Sequence, residues 1–479
     1  MAYRDLREFI SALEGRGDIK RIRAEVDPEL EVTEIADRML REGGPALLFE
    51  KVKGHDIPIL INAFGSEDRV CLALEVESLK ELEKKFELLT NQEMPRGMWE
   101  KFRMFLKLKD WAGYLPKTAK DGPCKEVIIK EGASLKDLPI LKCWPEDGGR
   151  FITLPLVFTK DPGTGRQNCG IYRMQVYDDL TTGMHWHTHK EGNVHMKRYG
   201  EMGAKMEVAV ALGADPAITF AAALPLPENL DEMVVAGFLR GEGVEMVKAE
   251  TVDIEVPAHS EIILEGYVDP EEIRMEGPFG DHTGYYTPPA PFPVFHLTCI
   301  THRRDPIYHT TIVGRPPKED NFLGMAMERL LLPLIRWQFP EIKDIHFPFE
   351  GIFHNLVIVS IEKRYPGHAR KVMHGLWGLG QAMFSKVIVV VEEEDIRDLG
   401  RICWKVLTSI DPQRDFEFVL GPIETLDHAS RLPNFGSKVG IDATRKWPEE
   451  GFSRPWPKEA VMTQEMADQV TRRWRDYGL

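Results

Sequence analysis

Two carboxylates, Glu276 and Asp281, stand in the stretch EGPFGDHTGYY (276–286), separated by Gly277, Pro278 and Gly280 and followed by His282 and Gly284. Glycine and proline at this density are incompatible with a helix interior or a regular strand, so the segment is expected to be a tight turn. Paired carboxylates suit general acid–base chemistry when their surroundings pull their proton affinities apart. The bland alternative is a solvated acidic turn, the commoner fate of charged loops. Arg173 bears on the choice. It lies in the apolar segment GIYRMQV, where a buried guanidinium requires an acidic partner, and Glu276 and Asp281 are the unassigned acids. An arginine between them would keep one ionised and leave the other to carry a proton, as a general acid must.

A second cluster is MHWHTHKEG. If it is a strand, His185, His187 and His189 share one face, with Trp186, Thr188 and Lys190 on the other. Neutral imidazole is a good zinc ligand, yet the ends of that trio would lie about 13 Å apart at the strand rise of about 3.3 Å per residue, too far to share one ion. No HExxH supports a zinc hydrolase, which stays a distant alternative. One histidine could instead join the amide oxygen of Asn168 and the carboxylate of Glu232. One nitrogen and two oxygens suit Mn²⁺ or Mg²⁺ against a phosphate better than structural zinc. For Glu232 the plain alternative is a carboxylate favoured at a helix start.

The elements that must position these groups follow from the rest of the chain. With 479 residues, two or three domains are expected. Acidic residues outnumber basic ones by 76 to 61, a net charge of −15, which argues against non-specific binding to nucleic acid or anionic membranes. The six cysteines, Cys71, Cys124, Cys143, Cys169, Cys299 and Cys403, show no CxxC pair and suit a reducing cytoplasm. No apolar leader or run of 18 apolar residues is present, so a cytoplasmic location is expected.

Residues 1–115 read as a helix over about 6–14, a second helix opened by Asp27 and Pro28, the strands ALLFE and PILIN, and the charged helix SLKELEKKFELL. From about 120 to 310, ITLPLVFT, GIYRMQVY, MEVAVALG, ITFAAALPL, SEIILEG and VFHLTCITH read as strands of an antiparallel barrel or sandwich, interrupted by one helix near 231–239. The proline-rich TPPAPFP reads as a joint inside this region. After a boundary at VGRPPKEDN, HNLVIVSI, PGHARKVMHGLWGL, KVIVVV, DIRDLGRICWKVLTSI and FEFVLGPI alternate strand and helix as an α/β unit does.

In this order, NCGIYRMQV, MHWHTHK, VALGADPA, LRGEGVEMVKAETVDIEVPAHSEIILEGY, EGPFGDHTGYY, IYHTTIVGRPP and GSKVGIDATRKW resemble the UbiD family of decarboxylases over about residues 120–450. The resemblance implies a multidomain α+β and α/β chain. A split β-barrel flavin-binding domain (116–315) would lie between an N-terminal α/β domain (1–115) and a C-terminal α/β oligomerisation domain (316–479). It implies prenylated FMN as cofactor, supplied by a flavin prenyltransferase, with Mn²⁺ on its phosphate and K⁺ as a further candidate ion. The family's metal ligands fall on Asn168, His189 and Glu232. Its flavin contacts fall on Ile171, Tyr172, Arg173, His185, Trp186, His187, Lys190 and Glu191, and Lys438 matches a lysine near the phosphate. Its Arg–acid–acid network falls on Arg173, Glu276 and Asp281, with Asp281 as proton donor.

The implied reaction is reversible, non-oxidative loss of CO₂ from an aromatic or α,β-unsaturated acid. It leaves an sp² carbanion that no side chain can delocalise, so an electron sink must be supplied by a cofactor. Asp281 replaces the glutamate of members acting on cinnamic-type acids, which places the sequence nearer the branch acting on 3-polyprenyl-4-hydroxybenzoate in quinone biosynthesis. His185 and His187 stand where the ubiquinone-pathway enzyme of enteric bacteria has Arg and Leu, and another aromatic or heteroaromatic acid is the alternative. A homo-oligomer, dimer or hexamer, and peripheral membrane association through a prenylated substrate complete the expectations. A non-catalytic flavin-binding protein is the rival reading.

Overall fold

The structure is a computed structural model that describes residues 3–90, 112–187, 190–226, 230–353, 355–393 and 395–478. In the N-terminal domain the helix Leu6–Arg16 is capped by Asp5, whose carboxylate accepts from Arg7 N and Glu8 N, and it turns Leu6, Phe9, Ile10 and Leu13 into the core. The second helix, Glu31–Arg41, starts later than Asp27 and Pro28 suggest, because Leu30 at φ 69° breaks helical geometry just before it. The strands Ile19–Val26, Ala46–Val52 and Ile59–Ile61 form a sheet completed by Tyr308–His309 from far along the chain.

The central domain is built on a seven-stranded sheet. Its path runs Thr181–Gly183, Ala290–His302, Ile262–Glu276, Met206–Leu212, Leu156–Lys160 and Gln167–Ile171, with Val127–Ile129 added on Ala290–His302. The first and last strands of the path are not hydrogen-bonded to one another, so the β-barrel is split. Ala290–His302 begins inside TPPAPFP, and the expected joint there is partly strand.

Two further expectations are corrected. ITFAAALPL is not a strand but contributes to the helix Pro216–Ala223. Asp215 accepts from Ala217 N and Ile218 N and proline occupies the first turn, start signals that outweigh the apolar run. The helix Glu191–Glu201 also joins Glu232–Arg240, so one helix is too few for this region.

In the C-terminal domain a five-stranded mixed sheet has the order Ile342–His346, Leu356–Ile361, Val387–Val391, Phe435–Asp442, Phe416–Pro422. The 20-residue helix Glu319–Gln338 starts within VGRPPKEDN and packs on Leu79–Thr90 of the N-terminal domain. Glu83 pairs there with Arg336 at 2.6 Å and Arg329 at 3.3 Å. Among the described residues no helix is long and apolar enough to cross a membrane, and all six cysteines are unpaired.

Candidate active site

The strand Ile262–Glu276 delivers Glu276 at its end, and the chain then reverses through Gly277 at φ 106°, a conformation that L side chains rarely adopt. The two-residue strand Phe279–Gly280 pairs with Tyr286–Thr287, so the stretch expected to be only a turn is a small hairpin with Asp281 at its tip. Two side chains from elsewhere pin it. Asp147 accepts from Gly280 N at 2.8 Å, and the Gln175 amide oxygen accepts from Gly277 N at 2.6 Å.

Arg173 lies between the strands Gln167–Ile171 and Met174–Gln175, at a break in GIYRMQVY. Its Nε–H donates to Glu276 Oε1 at 3.0 Å and its Nη1 to Asp281 Oδ2 at 2.5 Å, while the guanidinium lies 4.3 Å over the Phe279 ring. One cation is therefore shared by two carboxylates whose side chains are 0% and 2% exposed. Burial by itself would raise both acids. For Glu276 the His185 hydrogen bond and the Arg173 charge overcome it and lower the pKa. For Asp281 the charges of His282 and Arg173, with donors from His282 N and Thr287 Oγ1, hold the carboxyl well below the usual range. Arg173 bonds both acids and not Glu276 alone, and the charges of Arg173 and His282 favour the ionised form of Asp281.

The residues 184–187 are not in a strand, yet His185 and His187 still point together, with their Nε2 atoms 2.8 Å apart. His185 Nδ1 stands 2.8 Å from Glu276 Oε2, and burial lowers its pKa, so the neutral ring donates Nδ1–H to the carboxylate. Both of its nitrogens are thereby engaged. Trp186 turns the other way, 3% exposed and edge-on to Tyr172 at 6.3 Å.

Arg173, Asp281, His185, His187 and Phe279 line a cavity of about 270 Å³, which also receives Ile171, Tyr172 and Lys190, with Glu276 behind Arg173. Burial lowers the Lys190 pKa, partly offset by the charge of Glu424. The opposite wall comes from the C-terminal domain, with Phe353, Phe384, Glu424 and Leu426. None of these four was legible as a site residue, and neither was Phe279. His282, quoted in the hairpin motif but given no role, lines the cavity and lies 3.0 Å from Asp320.

Asn168 and Glu232 come together beside this wall. Glu232, 8% exposed, accepts from Cys169 N at 3.1 Å and forms no ion pair among the described residues. Burial pushes its carboxyl up to about 8, and Glu191 and Asp231 add negative charge. Asn168 Nδ2 is buried without a partner, as is Trp186 Nε1. A buried acid among like charges is chemically suited to a cation, and an amide oxygen such as that of Asn168 is a hard ligand of the kind that would join it. His189, the expected third ligand, lies outside the described residues, and among those described no three His, Cys, Asp or Glu side chains converge on one point. Glu191 opens the helix Glu191–Glu201. Lys438 does not line the cavity. It is buried, its pKa is lowered to about 8, and its ammonium donates to the Met383 carbonyl behind the wall.

A split barrel that presents an acid–arginine–acid network to a cavity walled by a second α/β domain defines the class as a carboxy-lyase. Residues 117–316 match the family described as 3-octaprenyl-4-hydroxybenzoate carboxy-lyase Rift-related domain, 321–443 its C-terminal domain and 10–89 its N-terminal domain. The chain belongs to the UbiD family. It is 52% identical over 480 residues to an uncharacterized protein of Archaeoglobus fulgidus, covering 99% of each chain. The UbiD-class enzyme HmfF from Pelotomaculum thermopropionicum, solved in an evolved dimeric form with prFMN, superposes with TM-score 0.78 at 30% identity, covering 97% of this chain and 98% of that one. The vanillic acid decarboxylase of Sedimentibacter hydroxybenzoicus in closed form gives TM-score 0.87 at 27% identity, covering 99% of both.

Proposed function

We propose that the chain catalyses reversible, non-oxidative decarboxylation of a hydroxylated aromatic acid with prenylated FMN as its cofactor. The observation that carries the reading is Arg173 shared between two buried carboxylates on a cavity wall. The complex of HmfF with prFMN supports the cofactor, and the vanillic acid decarboxylase supports a hydroxybenzoate-type substrate. A 3-polyprenyl-4-hydroxybenzoate of quinone biosynthesis is the most specific form of this proposal.

The cofactor would supply the electron sink that the departing CO₂ requires. Ile171, Tyr172, His185, His187 and Lys190 would surround it, and Asn168 and Glu232 would hold a manganese ion against its phosphate. Arg173 orients both acids and keeps them ionised until a proton is needed. Asp281 gives the proton to the carbon that lost CO₂, and Phe353 and Phe384 limit water on the far side.

Coexpression with a flavin prenyltransferase tests the proposal. The copurified cofactor should show the mass of prenylated FMN, and the loaded protein should release CO₂ from 4-hydroxybenzoate, vanillate or 3,4-dihydroxybenzoate, or exchange ¹³C-bicarbonate into the acid. A loaded protein inert in both assays would overturn it.

Glu232→Ala is expected to lower bound manganese and cofactor together, by roughly tenfold or more in metal affinity. Elemental analysis and flavin absorbance on one sample decide this; full flavin loading without metal would remove Glu232 from the role.

We also propose a homo-oligomer, dimer or hexamer, assembled through the C-terminal domain. Trp404 and Leu407 on the helix Leu399–Ser409, and Phe418 and Leu420 on the edge strand Phe416–Pro422, are exposed at 48%, 76%, 74% and 55%. Light scattering at micromolar concentration is expected to give a multiple of 54.7 kDa; the monomer mass would refute the assembly.

A further inference from the structure

Each turnover of a decarboxylase consumes a proton: RCOO⁻ + H⁺ gives RH + CO₂. Asp281 cannot hold a reserve of protons where it sits. Its Oδ2 accepts from Arg173 Nη1 and Thr287 Oγ1, its Oδ1 from His282 N, and its side chain is 2% exposed. A route from solvent to this carboxylate must therefore exist. His282 occupies the right place for it. Its Nε2 lies 3.4 Å from Asp281 Oδ1 and its Nδ1 lies 3.0 Å from Asp320 Oδ2, while about a third of the side chain, 34%, is accessible from the cavity that it lines. Asp320 lies in the first turn of Glu319–Gln338, and its other oxygen, Oδ1, is buried without a partner. A helix-start carboxylate needs no histidine, so the aim of Asp320 at Nδ1 is a second, independent feature of the site.

We propose, on the decarboxylase reading above, that His282 feeds the proton to Asp281 and that Asp320 is its positioning residue. The Nε2–H bond of the His282 imidazolium breaks, the electron pair stays on Nε2, and an Asp281 Oδ1–H bond forms. Nδ1–H remains on Asp320. With Asp281 neutral, the Arg173 charge is left to Glu276. Asp281 passes the proton to carbon, and Nε2 takes another from water.

The surroundings favour a charged ring at neutral pH. Burial would lower the His282 pKa and Arg173 repels the ring, but Asp281 and Asp320 lift it to about 9. Glu424 also faces it with opposite charge, and the Phe353 ring stands edge-on at 5.5 Å. The proton is thus present below about pH 9 and lost as pH rises through that value.

Histidine ¹³C NMR on the full chain without added acid reads the charge directly, with the His282 signal identified by its loss in His282→Gln. It is expected to titrate near 9 and to drop by a unit or more in Asp320→Asn. Titration at or below the ordinary 6.5 overturns the proposal. In the loaded enzyme, tested with 4-hydroxybenzoate, vanillate and 3,4-dihydroxybenzoate, His282→Gln should lower kcat roughly tenfold or more with KM little changed. Asp320→Asn should shift the alkaline limb of the pH–rate profile downward. An unchanged kcat in His282→Gln overturns the feeding role. If none of the three acids releases CO₂ or takes up ¹³C-bicarbonate while His282 still titrates near 9, the decarboxylase reading fails and the feeding role with it, whereas the NMR result still reports the hold of Asp320 on the ring.

Discussion

Asp281→Asn is expected to lose turnover by roughly 10²–10⁴-fold, the usual weight of a general acid, with cofactor loading retained. The amide keeps the size of the side chain, and its single oxygen can still accept from His282 N, which Oδ1 of the carboxylate binds at 2.9 Å, while its nitrogen takes the place of the oxygen that accepts from Thr287 Oγ1. It has no proton to give. The hairpin should stay in place because its other anchors, Asp147 on Gly280 N and Gln175 on Gly277 N, are untouched. Steady-state CO₂ release and flavin absorbance on the same preparation separate the two effects. Near-wild-type release from an acid that the parent accepts would return EGPFGDHTGYY to the status of a structural turn.

Arg173→Ala should be more damaging to the fold than any other single change at the site. It leaves Glu276 with only His185, itself held neutral by burial, and Asp281 with His282 and the Thr287 hydroxyl. Removing one partner of a buried ion pair costs about 3–5 kcal/mol, because the abandoned charge remains desolvated. The cation–π contact with Phe279 is lost as well. The pH dependence has a definite sign. Both acids have lowered pKa values in the folded wild type, so their contribution is present above the unfolded carboxylate range and lost as pH falls through the folded values. Without Arg173, burial raises Glu276, and the variant loses stability as pH rises. The gap between the two proteins in urea midpoint should therefore be wide at pH 7 and narrow toward about pH 4. A gap that is constant with pH would mean that Arg173 acts through packing alone.

What could be read without coordinates was short in range. The helix near residues 6–14, the tight glycine turn after Glu276 and apolar periodicity are local choices of the backbone, written in neighbouring residues. Even there, local signals compete, and ITFAAALPL went to helix because its cap outweighed its strand-like apolar run. The types at the site were also legible: an arginine in an apolar segment needs acids, and only a few were unassigned.

The charge state of Asp281 and the company of His282 were decided by tertiary structure. Asp320 is remote from the hairpin in any local pattern, and Phe353, Phe384 and Glu424 reach the cavity only because the C-terminal domain folds over it. Proton affinity depends on burial and on charges within a few ångströms, quantities that exist only once distant segments meet. Sequence motifs alone carried the resemblance that identifies the family, and the resemblance implied the three-part architecture and named Arg173, Glu276 and Asp281 together, since motifs are a matter of residue identity and order. Only the folded chain settled that Arg173 serves both acids at once, because sharing one cation is a matter of distance.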